Sequence, residues 1–151
     1  MDVILKIIQV IVSLSLLVLV HEFGHFVFAR IFGMRVEKFY LFFPPSLLSF
    51  KPKNSDTEFG IGSIPLGGFC KISGMVDESM DTDGMESDPQ PYEFRGKPAW
   101  QRLCVLAGGV LFNFILAIVL YSSIFAKWGE EYVRNSDAVY GIEDSSLAQE
   151  V

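Results

Sequence analysis

The chain has 151 residues, half of them hydrophobic, a net charge of −6 and a mean hydropathy of +0.36. That length allows one ordinary domain, and an acidic balance with no basic patch among aromatics argues against nucleic acid as a partner. Apolar residues gathered in two blocks favour a small membrane protein over a soluble globule. Two cysteines, Cys70 and Cys104, provide no disulfide framework and no C-x-x-C knuckle.

From Ile7 to Val20 only Gln9, Ser13 and Ser15 interrupt the aliphatic residues, and no charge occurs between Lys6 and Glu22. The run predicts a helix from about Val3 to Phe32, ended by Gly33. It exceeds the roughly 20 residues that span a bilayer. It starts at Asp2 rather than a basic cluster and has no small-x-small cleavage site, so it reads as a retained membrane helix.

The helix carries Val20-His21-Glu22-Phe23-Gly24-His25-Phe26, which contains both histidines of the chain. Residues i and i+4 stack on one helix face, so His21 and His25 can share one metal ion. Glu22, one step round, can reach a water in the metal's open position. H-E-x-x-H supplies two zinc ligands and a general base in this way. On a soluble surface helix the same letters are often a solvated face. At membrane depth an idle carboxylate is costly, which favours the metal reading.

Leu47–Lys51 and Glu58–Ile64 read as short strands around the turn-rich Pro52-Lys53-Asn54-Ser55-Asp56, a β-hairpin over residues 47–64. Next comes Pro65-Leu66-Gly67-Gly68-Phe69-Cys70-Lys71. Its paired glycines fit either an ordinary turn or a place where another backbone approaches closely. Residues 77–93 hold seven acidic side chains and no basic one; this reads as a solvated, mobile loop. Asp81-Thr82-Asp83-Gly84 lacks the spacing of an EF-hand.

A second uncharged run, Leu103–Ala126, is again long enough to span, with Trp100 suited to the interface before it. Within it, Gly108 and Gly109 allow close helix packing, and Asn113 needs a hydrogen-bond partner in lipid. Nine of the twelve Lys and Arg residues fall between Arg30 and Arg102. The positive-inside rule therefore puts residues 33–102 in the cytoplasm and both termini outside.

Three stretches carry a resemblance. The H-E-x-x-H, the Pro65–Lys71 segment (P-L-G-G-F-x-K) and Ala107–Phe114 together resemble the site-2 protease family of intramembrane zinc metalloproteases. The likeness is to the bacterial regulator of sigma-E protease type, and Ala107–Phe114 is similar to that family's A-G-P-x-x-N-F segment, without the proline. The resemblance implies a membrane α-helical protein with two transmembrane helices and a cytoplasmic, membrane-re-entrant β-hairpin between them. It places the chain in a bacterial inner membrane and makes residues 127–151 the extracytoplasmic start of an incomplete PDZ-like region. The segments are then 1–32, 33–102, 103–126 and 127–151.

It further implies zinc as cofactor, His21 and His25 as ligands, Glu22 as catalytic base, and Ile61, Gly67, Gly68 and Asn113 as substrate-binding residues. The implied substrates are single-pass membrane proteins, anti-sigma factors or remnant signal peptides, cut in regulated intramembrane proteolysis. A catalytic zinc normally has three protein ligands. The family's third is an aspartate in an L-D-G motif on a later membrane helix, and these residues contain no L-D-G. The expectation is the N-terminal part of a longer zinc metalloendopeptidase, inactive alone. Two other readings stand beside it: a non-catalytic membrane binding module, and a transporter segment using the His and Glu side chains as a proton relay.

Overall fold

The computed structural model describes residues 2–76 and 88–129. In order these form helix α1 (Asp2–Ile31), strands β1 (Val36–Phe50) and β2 (Glu58–Ile72), a single 3₁₀ turn (Phe94–Gly96) and helix α2 (Ala99–Trp128). The chain divides into two units, Met1–Ala117 and Ile118–Val151. All of the elements before α2 lie in the first. Within the described part of the second, Ser123 Oγ donates to the Val119 carbonyl at 2.6 Å and the Lys127 ammonium lies 4.7 Å from the Trp128 ring centroid. The expected PDZ-like start at 130–151 and residues 77–87 of the acidic segment lie outside the described residues.

Both helices are 30 residues long with a mean hydropathy of 2.7 over their most apolar windows, long and apolar enough to cross a membrane. Side chains such as Val12, Leu16 and Val119 remain exposed. Exposed apolar faces of this size are covered by lipid or by other protein. α1 ends as Gly33 predicts. With Gly33 at φ 65°, its N–H donates to the Arg30 carbonyl at 3.2 Å and the Met34 N–H to that of Ala29 at 2.8 Å. This pair of bonds is a Schellman cap, and Met34 and Ala29 are both buried. α2 starts earlier than its apolar run because the Pro98 carbonyl accepts from the Gln101 and Arg102 N–H groups, adding a polar first turn to the uncharged stretch.

The hairpin has its turn where expected, but the strands run well past 47–64. The reason lies in pairing that no local pattern announces. Each strand folds back on itself, so residues 38–41 meet two segments: Phe39 pairs with Cys70 on one side and Phe59 on the other, Leu41 with Gly68 and with Ile61. Pairing is antiparallel between 38–41 and 68–71, and again where Leu48, Ser49 and Phe50 meet Ile61, Gly60 and Phe59. Between 38–41 and 58–61 the partners advance in step. The four segments therefore lie in the order 46–50, 58–62, 38–41, 68–72. The Gly67-Gly68 pair thus lies in a strand rather than a turn, and Phe42 takes φ 72° where β1 changes course.

A buried cluster of Ala29, Met34, Val36, Cys70, Ile72 and Val105 ties the end of α1 to the base of the sheet and to α2. Aromatic rings extend it: Phe26 meets Phe39 at 5.5 Å and Phe59 at 5.9 Å, and Phe32 meets Trp100 at 5.2 Å. Backbone bonds from Arg35 N–H to the Tyr92 carbonyl and from Phe94 N–H to the Ser73 carbonyl bring the chain back to the sheet before α2. Within the sheet, Tyr40 Oη donates to Glu58 Oε1 at 2.6 Å. That bond holds the Glu58 carboxyl below its usual range, while burial and the same bond push the Tyr40 phenol up.

Candidate metal centre

Helix geometry alone puts His21 above His25. α2 decides how the rings point. Their centroids are 4.9 Å apart with the planes at 76°, and the two Nε2 atoms approach to 3.2 Å. Zinc–imidazole bonds of about 2.0–2.1 Å in a tetrahedral site require nitrogens about 3.3 Å apart. The pair is therefore already at the separation a shared ion needs.

The back of the rings is held by α2. His25 Nδ1 donates to the Val105 carbonyl at 2.8 Å, and the Asn113 amide nitrogen lies 3.4 Å from His21 Nδ1. Metal-binding histidines are oriented through their second nitrogen in this manner. Val105, Gly109 and Asn113 are spaced by four, hence share one face of α2. Gly109 sits between, opposite the nitrogens. A Cβ on Gly109 would fall 2.6 Å from His21 Nε2 and 2.6 Å from His25 Nε2. It would fall equally close, 2.6 Å, to His21 Cε1, so the missing side chain leaves room for the His21 ring and for His25 Nε2 against α2. Donor set and separation both fit a zinc ion bound by His21 and His25. Among the described residues no group of three His, Cys, Asp or Glu side chains comes together, so Cys70, buried in the core, and Cys104 do not complete it.

Glu22 is 5% exposed and lines a cavity of about 330 Å³ together with His21, Gly67, Gly68 and Asn113. The sheet reaches this cavity with Phe43, Leu66, Gly67 and Gly68. Gly68 allows it: a Cβ there would lie 2.8 Å from the Tyr40 carbonyl oxygen, 2.9 Å from Val18 Cγ1 and 3.4 Å from Glu22 Cγ. A Cβ on Gly67 would lie 2.5 Å from the Phe43 ring. Ile61 is placed elsewhere. It pairs with Leu41 on one side and Leu48 on the other, and it lines a separate apolar cavity with Leu19 and Phe59. Sequence reasoning missed Gly109 and Val105. A glycine at four-residue spacing from Asn113 was a signal for the first; a backbone carbonyl leaves none.

Two helices long and apolar enough to cross a membrane meet at an H-E-x-x-H, the pattern of a zinc-hydrolase helix, with part of the sheet brought to the same cavity. Residues 9–149 match the model of Peptidase family M50. The chain belongs to that family, the site-2 protease family that the sequence resembles. It is 39% identical over 124 residues to "Zinc metalloprotease Rip1" of Mycolicibacterium smegmatis, covering 80% of this chain and 30% of that protein. It is 38% identical over 137 residues to a "Putative zinc metalloprotease" of Helicobacter pylori, covering 91% and 37%. To "Metalloprotease MmpA" of Caulobacter vibrioides it is 34% identical over 131 residues, covering 78% and 33%. The chain thus spans well under half the length of these relatives.

Proposed function

We propose that the chain carries the two-histidine half of the active centre of an intramembrane zinc metalloprotease that cuts single-pass membrane proteins. The implied substrates are anti-sigma factors or remnant signal peptides. The observation that carries the reading is the 3.2 Å approach of the two Nε2 atoms, beside Glu22 and against Gly109 of α2. The third protein ligand comes, in this reading, from an aspartate on a later helix, and the chain alone cleaves nothing.

When bound, zinc supplies a Lewis acid for the scissile carbonyl and for the attacking water. His21 and His25 hold it through Nε2. Glu22 takes the proton of the water on a carboxylate oxygen and passes it to the leaving amine. The buried setting of Glu22 keeps bulk water from competing for that proton. A transmembrane substrate is helical, with its peptide groups bonded internally, and must unwind before attack. Leu66, Gly67 and Gly68 line the cavity beside Glu22, and in this reading a substrate strand laid along them offsets the cost of unwinding.

A proton relay is the weaker alternative. His25 Nδ1 donates to the Val105 carbonyl, which cannot pass a proton on from that side. Zinc analysis of the full-length Glu22→Gln protein is the test. Stoichiometric zinc with no proteolysis is expected, because an amide cannot accept the proton. His21→Ala and His25→Ala should lose both metal and activity. A Glu22→Gln protein that stays empty where other zinc enzymes load would overturn the reading in favour of a non-catalytic binding module or a relay.

A further inference from the structure

A group of positive charges where α1 ends takes no part in the metal centre. Arg30 lies in the last turn of α1. With Gly33, Met34, Arg35, Asp56 and Tyr92 it lines a cavity of about 510 Å³, a volume in the range of small-molecule sites. Met34 belongs to the buried cluster beneath, whereas Arg30, Arg35, Asp56 and Tyr92 are exposed. Arg35 is fixed through both backbone groups: its N–H donates to the Tyr92 carbonyl at 3.0 Å, and its carbonyl accepts from the Ser73 N–H at 2.9 Å. Its guanidinium lies 6.0 Å from the Tyr92 ring centroid, a contact that holds the group without neutralising its charge.

Among the described residues neither Arg30 nor Arg35 is in an ion pair. Two guanidinium groups against the single carboxylate of Asp56 leave the lining positive. Lys97 adds to the balance, with its Nζ 3.9 Å from where a Cβ on Gly33 would stand. Cations at a helix C-terminus complement its partial negative charge, which accounts for Arg30 and Lys97. It does not account for Arg35, which lies beyond the helix end with its guanidinium over Tyr92. Trp100, 58% exposed, meets Phe32 at the same end of α1. Tryptophan gathers at headgroup level in a bilayer, so with α1 and α2 in a membrane the cavity opens where the lipid phosphates lie.

We propose that this cavity binds the headgroup of an anionic glycerophospholipid of the phosphatidylglycerol class. Arg30 and Arg35 donate to the phosphate oxygens, whose geometry the planar guanidinium forks match, and Asp56 accepts from the glycerol hydroxyls. The bound lipid ties the end of α1 and the hairpin turn, through Asp56, to the membrane surface. The proposal rests on α1 and α2 lying in a membrane and is independent of the zinc reading.

The test is native mass spectrometry of the full-length protein in a non-ionic detergent, titrated with dioleoyl-phosphatidylglycerol. The first lipid should bind at least about fivefold more tightly than phosphatidylcholine of the same chains. Arg30→Gln and Arg35→Gln should each weaken that binding about fivefold, and the double variant about 25-fold, with helical content unchanged. Arg35→Lys, which keeps the charge and loses the fork, should fall between wild type and Arg35→Gln. Lys51→Gln with Lys53→Gln removes the same charge from the exposed hairpin turn and should change binding less than about twofold. Equal loss in the two double variants would reduce the effect to general surface attraction and overturn the site. Phosphatidylethanolamine binding as tightly as phosphatidylglycerol would overturn it too, since Asp56 would then be holding an ammonium. Inorganic phosphate displacing the lipid at equal concentration would make this a site for soluble anions. A protein that binds no lipid would have the cavity covered by another part of its own chain, which also ends the proposal.

Discussion

Gly24 and Gly108 touch backbone to backbone where the two long helices cross. A Cβ on Gly24 would run into the Gly108 carbonyl, and one on Gly108 would lie 2.8 Å from the Gly24 carbonyl oxygen. Gly24 sits inside the H-E-x-x-H, one residue before His25. α1 and α2 thus meet within the H-E-x-x-H, which is how α2 comes to reach both imidazoles.

Gly24→Ala should therefore cost about 1–3 kcal/mol, the usual range for overpacking a filled contact. Forcing the helices apart also withdraws Val105 and Asn113 from the rings. Thermal unfolding in detergent should show a lower midpoint, and zinc content should fall with it. A variant with unchanged midpoint and full zinc would mean that the helices do not cross this closely.

Gly109→Ala separates space from stability. Its methyl would crowd His21 Cε1 and Nε2 and His25 Nε2, each 2.6 Å away, and so push the imidazoles out of place. The expected result is a folded protein with near-normal helical content that binds zinc at least tenfold more weakly. Full zinc occupancy would show that the rings keep their place beside the added methyl.

Gly68→Ala addresses the strand edge. The added carbon would meet the Tyr40 carbonyl and Val18 and crowd Glu22, narrowing the cavity without touching either imidazole. Proteolysis by the full-length protein should drop about tenfold or more in kcat/KM, while zinc stays bound. Unchanged cleavage would remove this edge from the substrate path.

Topology can be read with reporters. With nine of twelve basic residues between Arg30 and Arg102, a fusion after Ser87 should be cytoplasmic and one after Asn135 exported. The reverse pattern would invert the orientation and put the metal centre toward the outer face.

Sequence by itself determined the parts that depend on neighbours along the chain. Two long uncharged apolar runs make two helices of membrane-spanning length, four-residue spacing stacks His21 on His25, Gly33 suits the positive φ of the cap, and Pro52–Asp56 turns the hairpin. Where contacts join residues far apart, local pattern had no purchase. Helical periodicity says which residues share a face of α2 but not how that face is rotated toward α1, so Gly109 offered only its spacing from Asn113 and Val105 gave no hint of its place beside the histidines. The fold-back of the strands was hidden for the same reason: it moves Ile61 into the sheet interior and brings Gly67 and Gly68 to the cavity. Those placements follow from close backbone approach at Gly24, Gly68 and Gly108, where what matters is the absence of a side chain, and only packing in three dimensions reveals what fills the space.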